Sequence, residues 1–196
     1  MKRRALLGLA LAGFAAAGCD RFLPGGKTPF HGVDITGSDL GPDFRLTDHN
    51  GKERSLADFR GKVVAIFFGY THCPDVCPTT LARMVRLRNQ LGRGPGAFDI
   101  VFVSVDPERD GPKEVGAYAG LFGSPVIGLT GTPGQIAQVK KQFGIFSEKV
   151  PDGAGGYTVD HTSTVLLFGK DGKFDSTIAH EEQDPAALDK LRRITA

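Results

Sequence analysis

Two cysteines, Cys73 and Cys77, carry the clearest chemistry in the sequence. Their spacing is C-x-x-x-C, and residues four apart lie on one face of a helical turn. At a rise of about 1.5 Å per residue their Cα atoms are roughly 6 Å apart, within reach of a disulfide. Thiolates also bind soft metal ions. The pair can therefore be a redox disulfide, part of a metal site, or a structural disulfide that gains little from closing so short a loop.

The cysteines stand between an apolar run and a predicted helix. Residues 63–68 have the length and continuous apolar character of a strand buried on both faces. Residues 75–91 show helical spacing, and Pro74 and Pro78 suit a first helical turn. Because a helix N-terminus favours an anion, it lowers the pKa of a thiol placed there. This corner of the fold therefore favours the thiolate form.

The other segments alternate strands with helices and end in a hairpin and a last helix. Asn50-Gly51 predicts an early hairpin. Thr132 and Pro133 predict the start of a helix, and residues 147–156 predict a Gly- and Pro-rich loop. Together these patterns predict an α/β, thioredoxin-like sandwich with a central mixed sheet and an N-terminal hairpin extension. In that fold the cysteines lie at the active-site corner, at the carboxyl end of a strand.

A metal site needs a third donor atom, and the five histidines are not equally good candidates for that ligand. Three of them fall in a tether, a hairpin turn or a polar run and are expected to be exposed: His31, His49 and His180. His72 abuts Cys73 but is expected to point away from it. His161 follows the Gly-rich loop and precedes a core strand, which places it beside the cysteine corner. Taken alone, His161 is either a ligand or a satisfied core residue.

Three motifs occur in order: Cys73-Pro-Asp-Val-Cys77-Pro, Asp106-Pro-Glu-Arg-Asp110 and Tyr157-Thr-Val-Asp-His161-Thr. Together they resemble the SCO/SenC family of copper-binding assembly proteins, over the whole domain from residue 41. The resemblance implies one copper ion per chain, Cu(I) or Cu(II), held by Cys73, Cys77 and His161. It also implies delivery of copper to the copper-bearing subunit of cytochrome c oxidase, or reduction of the cysteines of that dinuclear site.

The donor set agrees with this resemblance. Two thiolates and an imidazole suit Cu(I) and tolerate Cu(II), whereas a structural zinc ion normally takes four protein ligands. Asp160 either orients His161 or lies on the surface. The resemblance implies that Asp106 and Asp110 support the site; alternatively, Asp106 simply ends a strand and Asp110 caps a helix.

The first residues predict export. Residues 1–18 combine three basic residues with an apolar run, and Gly18-Cys19 resembles a lipoprotein cleavage site at which Cys19 is lipidated. The run could instead remain as a membrane anchor, although it is shorter than the roughly 20 residues of a spanning helix, or Cys19 could be a free thiol. Residues 19–40 then form a tether and residues 41–196 the copper-binding domain. The predicted location is the periplasmic face of the inner membrane.

Charge gives no sign of a nucleic-acid partner. Removing residues 1–18 takes three of the 24 basic side chains and none of the 22 acidic ones, leaving 21 against 22. The slight positive balance of the whole chain therefore belongs to the leader. Partners are expected among the oxidase subunit, other periplasmic copper chaperones and thiol-disulfide reductants.

Three other functions stay open. A thiol-disulfide oxidoreductase shares the fold and compartment, but those enzymes use C-x-x-C and a cis-proline. A peroxiredoxin would carry threonine three residues before the reactive cysteine, and Pro74 occupies that position before Cys77. A copper-dependent redox sensor would use the same three ligands. A metallochaperone is thus favoured over an enzyme, with thiol-disulfide reductase activity as the alternative.

Overall fold

A computed structural model describes residues 43–93, 96–123 and 125–196. The predicted export signal, the tether, Cys19 and His31 lie outside these described residues. Within them, no helix combines the length and apolar character required to cross a bilayer.

In the described part of the chain, seven strands form one mixed sheet in the order β2-β1-β5-β4-β3-β8-β9, and two more form a separate hairpin. The sheet strands are β1 Leu46–Asp48, β2 Glu53–Arg54, β3 Val64–Gly69, β4 Asp99–Ser104, β5 Val126–Thr130, β8 Val165–Phe168 and β9 Phe174–Ile178. Strands β3, β4 and β5 are parallel, whereas β1 and β8 pair antiparallel with β5 and β3. The predicted mixed sheet is confirmed, and the N-terminal hairpin adds two strands to its edge.

Among residues 43–93, 96–123 and 125–196, four α-helices and one short 3₁₀ helix accompany the sheet: α1 Val76–Gln90, α2 Pro112–Gly120, α3 Pro133–Gln142, α4 Asp184–Thr195 and the 3₁₀ helix Leu56–Phe59. The predicted cap of α3 is confirmed, since Thr132 Oγ1 accepts from the Gln135 amide at 3.3 Å. The Gln135 side chain accepts in return from the Thr132 amide at 2.8 Å. This reciprocal capping satisfies two amides that the helix itself cannot.

The core lies where β3 meets its neighbours. Every residue of β3 is buried, as its unbroken apolar sequence requires of a strand covered on both sides. Helix α1 covers one side with Leu81, Met84 and Leu87, which share one helical face and are buried. The strand that leads into the cysteine motif is thereby held rigidly.

The predicted loop at residues 147–156 is wrong in its first half, because Ser147–Pro151 is paired strand. Strands β6, Ser147–Pro151, and β7, Tyr157–His161, form a five-pair antiparallel hairpin. In its turn, Asp152 Oδ1 accepts from the amides of Ala154 at 2.8 Å and Gly156 at 2.9 Å. The hairpin holds His161 at the end of a paired strand.

Candidate metal centre

The two cysteines lie at the connection between the end of β3 and the start of α1. Cys73 is half-buried in the connecting turn, and Cys77 is fully buried at the second position of α1. The Cys77 amide donates to Cys73 Sγ at 3.4 Å, so a first-turn amide of the helix faces that sulfur. Both cysteines are free. The predicted pairing of two sulfurs at a helix N-terminus is therefore present as a dithiol.

His161 reaches the cysteines from the end of β7. Its Nε2 atom lies 3.3 Å from Cys77 Sγ, and the ligand atoms of Cys73, Cys77 and His161 all lie within 4.8 Å of one another. The Nδ1 atom lies 2.9 Å from the carbonyl oxygen of Thr162. Because a carbonyl can only accept, Nδ1 donates a proton in this contact, and Nε2 is the ring nitrogen that faces the sulfurs. A histidine that binds a metal through one ring nitrogen commonly donates the other N–H to a carbonyl, and this arrangement is present here.

Two aromatic rings enclose the imidazole. Tyr70 meets His161 edge to face, with ring centroids 5.8 Å apart, and Phe67 does so at 5.9 Å. Both aromatic residues are buried and belong to β3 or the residue after it. The rings limit rotation of the imidazole and exclude water from one side of the site.

The two thiols differ in acidity. The pKa of Cys73 is lowered, first because Cys77 hydrogen-bonds to its sulfur, and also through His161 and backbone amides. The pKa of Cys77 is raised, because it keeps its proton in that hydrogen bond and because it is buried. Without metal, the pair therefore shares one proton, with Cys73 as the thiolate.

Gly69 allows the close approach of Cys77 to the sheet. A Cβ atom built on Gly69 would lie 2.7 Å from Cys77 Sγ and 3.0 Å from the Phe102 ring. No real Cβ packs so tightly, so a side chain at this position would move the sulfur or the ring. The glycine thus helps to set the position of a ligand atom.

A partly buried ion pair supports the hairpin that carries His161. Asp106 is fully buried and binds Arg109 Nε at 2.5 Å and the Tyr157 hydroxyl at 2.9 Å. Arg109 also donates to the Tyr157 carbonyl at 3.0 Å, and its guanidinium lies 3.7 Å from the centroid of that ring. The guanidinium also lies 5.8 Å from the centroid of the Tyr70 ring. Asp106 therefore supports the site through Arg109 and two tyrosines.

Asp110 ties the cysteine turn to β4, and the prediction that it caps a helix is wrong. The cap of α2 is Gly111, while Asp110 is fully buried. Its carboxylate accepts from the Thr71 amide at 2.9 Å, the Thr71 hydroxyl at 2.6 Å and the Ser104 hydroxyl at 2.7 Å. Two charge-assisted hydrogen bonds hold the turn that precedes Cys73, and the third joins the carboxylate to β4.

The other candidate residues lie apart from the ligand atoms. Asp160 is exposed on β7, and the suggestion that it orients His161 is wrong because the Thr162 carbonyl takes that role. His72 is exposed, with Nδ1 3.6 Å from Asp110. His49 and His180 are exposed as expected.

Sequence reasoning missed the side chains that link the three motifs. Tyr70, Arg109 and Tyr157 had no predicted role, although Arg109 and Tyr157 lie inside the motifs quoted for the family resemblance. Their closeness to an acid or a histidine in sequence was an available signal. Their mutual stacking was not, because it joins residues up to 48 positions apart.

Comparison with known proteins agrees with this geometry. The family model described as SCO1/SenC matches residues 33–196. This chain belongs to the SCO1/SenC family. Among relatives of the SCO1/SenC chain, the mitochondrial SCO2 homologue of Bos taurus is 38% identical over 154 residues, which are 77% of this chain and 58% of that protein. The chain thus spans under two thirds of the length of that relative.

Solved structures of the family share the fold. Bradyrhizobium japonicum ScoI with copper bound is 39% identical with a TM-score of 0.72, covering 79% of this chain and 99% of that one. Yeast Sco1 with copper bound is 28% identical with the same TM-score of 0.72, covering 79% and 87%. The thioredoxin-like sandwich predicted for this SCO1/SenC chain is confirmed.

Proposed function

We propose that this protein is a copper chaperone that binds one copper ion through Cys73, Cys77 and His161. The observation that carries the proposal is the meeting of two sulfurs and an imidazole nitrogen within 4.8 Å. Thiolates and imidazole suit Cu(I), and the nitrogen donor also tolerates Cu(II). The donors available thus fit copper as a cargo.

The recipient proposed for the copper is the copper-bearing subunit of cytochrome c oxidase. Membership of the SCO1/SenC family supports this recipient, and the solved relatives from Bradyrhizobium japonicum and yeast are described with copper bound. The half-buried position of Cys73 suits exchange with a partner, because a sulfur that is partly open can be reached by an incoming ligand. Other periplasmic copper chaperones are proposed as donors.

The N-terminal residues are proposed to place the domain at a membrane. We infer that residues 1–18 are removed, that Cys19 is lipidated, and that residues 19–40 tether the domain of residues 41–196 to the periplasmic face of the inner membrane. Metabolic labelling with a radioactive fatty acid tests this. Label on the wild-type chain that is lost in Cys19→Ser supports the anchor, whereas equal label on both chains contradicts it.

A second function is reduction of the recipient's cysteines. The difference in acidity between the two thiols favours it, because Cys73 is the thiolate and Cys77 keeps a proton. Cys73 would attack a disulfide of the subunit, and one subunit sulfur would leave as a thiolate. Cys77 would then attack the mixed disulfide, closing a Cys73–Cys77 bond while the subunit gains two thiols. A dithiol reductant of the periplasm would restore the pair.

Anaerobic titration with Cu(I) tests the proposed function. The full chain is titrated against a chromophoric Cu(I) chelator, beside Cys73→Ser, Cys77→Ser and His161→Ala, with His72→Ala as the matched control. One tightly bound copper per chain, weakened in the three ligand variants and kept in the control, supports the proposal. No copper binding by the wild-type chain, or equal binding by His161→Ala, contradicts it.

A further inference from the structure

The β6–β7 hairpin has an outer face that nothing in the described part of the chain covers. In the register of the hairpin, Glu148 pairs with Asp160 and Val150 pairs with Thr158. Because side chains alternate along a strand, these four lie on one face, while Val159 and His161 lie on the other. All four are exposed, whereas Val159 is buried. Phe146 continues this outer face, since its backbone bonds to that of Thr162 beyond the end of the hairpin.

Two like charges stand directly opposite each other on this face. Glu148 and Asp160 are cross-strand partners, and like charges in that arrangement destabilise a hairpin. Within residues 43–93, 96–123 and 125–196, neither carboxylate has an ion pair or a hydrogen bond through its side chain. Glu108 differs, because Lys149 binds it at 2.6 Å from the other face of the hairpin. The outer carboxylates therefore keep an uncompensated negative charge.

Exposed apolar side chains flank these carboxylates. Among the described residues, three large hydrophobic side chains are exposed, Leu121, Phe146 and Val150, and the last two lie on this face. Phe146 is 58% exposed. An aromatic ring beside two carboxylates suits a lysine or arginine side chain, which can bind the charges and lie against the ring. The face is thus complementary to a basic side chain set among apolar ones.

The face adjoins the ligand that must be reached during transfer. His161 ends β7 and pairs with Ser147, one residue from Phe146 and one from Glu148 in sequence. A protein bound on the outer face of this narrow hairpin would lie next to the edge at which His161 meets the cysteines. Docking there would bring the donors of a second protein close to the copper ligands.

We propose that the outer face of the hairpin, formed by Phe146, Glu148, Val150, Thr158 and Asp160, docks the copper-receiving protein through a basic side chain flanked by apolar residues. This rests on the proposed function, because the partner is the protein to which copper is delivered. The unpaired carboxylates steer the encounter, and Phe146 anchors it. The carboxylate pair of Glu148 and Asp160 costs the hairpin stability, and its role is to recognise the basic side chain of the partner.

Copper transfer kinetics test the docking surface. The copper-loaded full chain is mixed with the apo copper-bearing subunit of cytochrome c oxidase, and the second-order rate constant is measured at low and high salt. Glu148→Lys is the sharpest variant, since it places opposite charges across the hairpin and so preserves or raises fold stability while reversing the surface charge. Phe146→Ser removes the ring. Leu121→Ser and Glu181→Lys are controls at exposed positions away from the hairpin.

The expected result is slower transfer without weaker copper binding. Glu148→Lys and Phe146→Ser should each lower the rate constant about tenfold at low salt, with copper affinity and melting temperature unimpaired, while the controls transfer at the wild-type rate. A wild-type chain that transfers copper, with both hairpin variants equally fast, overturns the docking surface alone. A wild-type chain that binds copper and transfers none contradicts delivery itself, and the docking proposal with it.

Discussion

Cys77 Sγ and His161 Nε2 lie 3.3 Å apart although 84 positions separate them in the sequence. The two residues reach each other from different elements, the first turn of α1 and the end of β7. Helix α1 and the turn before it carry the two cysteines, and β7 carries the histidine, so the three donors meet only when these elements pack together. The metal centre therefore depends on whatever holds the β6–β7 hairpin against the cysteine turn, and the following predictions test those supports.

Gly69→Ala should displace Cys77 Sγ and so weaken both copper binding and the fold. The added Cβ would lie 2.7 Å from Cys77 Sγ, so the sulfur must shift. We expect a loss of about 1–3 kcal/mol in the free energy of unfolding and about tenfold weaker copper binding. Urea denaturation and chelator competition measure the two effects. Gly134→Ala is the control, because a Cβ there meets nothing within 4 Å. Wild-type affinity in Gly69→Ala would show that the sulfur position is not constrained by this contact.

Asp110→Ala should destabilise the cysteine turn. It leaves the amide and hydroxyl of Thr71 and the hydroxyl of Ser104 without their acceptor. We expect a loss of about 3 kcal/mol in the free energy of unfolding, measured by urea denaturation. Asp189→Ala, at an exposed ion pair, should change it by less than about 0.5 kcal/mol. Equal stability of the two variants would argue against a structural role for Asp110.

Arg109→Lys should weaken copper binding although the charge is kept. Lysine cannot stack its whole head group on the Tyr157 ring while binding Asp106 and the Tyr157 carbonyl. The hairpin that carries His161 should then be held less firmly, and we expect copper affinity to fall about 10- to 100-fold by chelator competition. Arg45→Lys, at an exposed pair, is the matched control and should bind as the wild type does. If Arg109→Lys binds copper with wild-type affinity, Arg109 does not help to position the copper site.

The two thiols should alkylate at different rates in the apo-protein. The lowered pKa of Cys73 keeps it a thiolate as pH falls, so its reaction with iodoacetamide should slow little between pH 8 and pH 6. An ordinary thiol would slow roughly 100-fold over that interval. Cys77 should react far more slowly, because its raised pKa and burial keep it protonated.

Mass spectrometry of quenched samples, with Cys77→Ala alongside, measures these rates. The variant removes the hydrogen bond that contributes most to the lowered pKa of Cys73, so its Cys73 should slow markedly at pH 6. If the wild-type Cys73 slows as an ordinary thiol does, the shared proton is absent.

Much of this arrangement follows from local sequence. The unbroken apolar run of β3 and the prolines before α1 predict a strand and a helix because burial and capping act on neighbouring residues. The sequence places β6 in a loop, since this strand is polar and exposed and only its cross-strand register with β7 identifies it. Asp110 was mistaken for a cap because its partner Thr71 lies 39 positions away. The sequence motifs name the three candidate ligands that the structure brings together, whereas the contacts that position them depend on the folded chain.

X-ray absorption at the copper edge tests the metal centre most directly. The full chain loaded with one equivalent of Cu(I) should show two sulfur scatterers and one nitrogen scatterer, from Cys73, Cys77 and His161. In His161→Ala the nitrogen scatterer should disappear while both sulfurs stay. A wild-type spectrum with sulfur scatterers alone, unchanged by His161→Ala, would contradict a copper site built from these three residues.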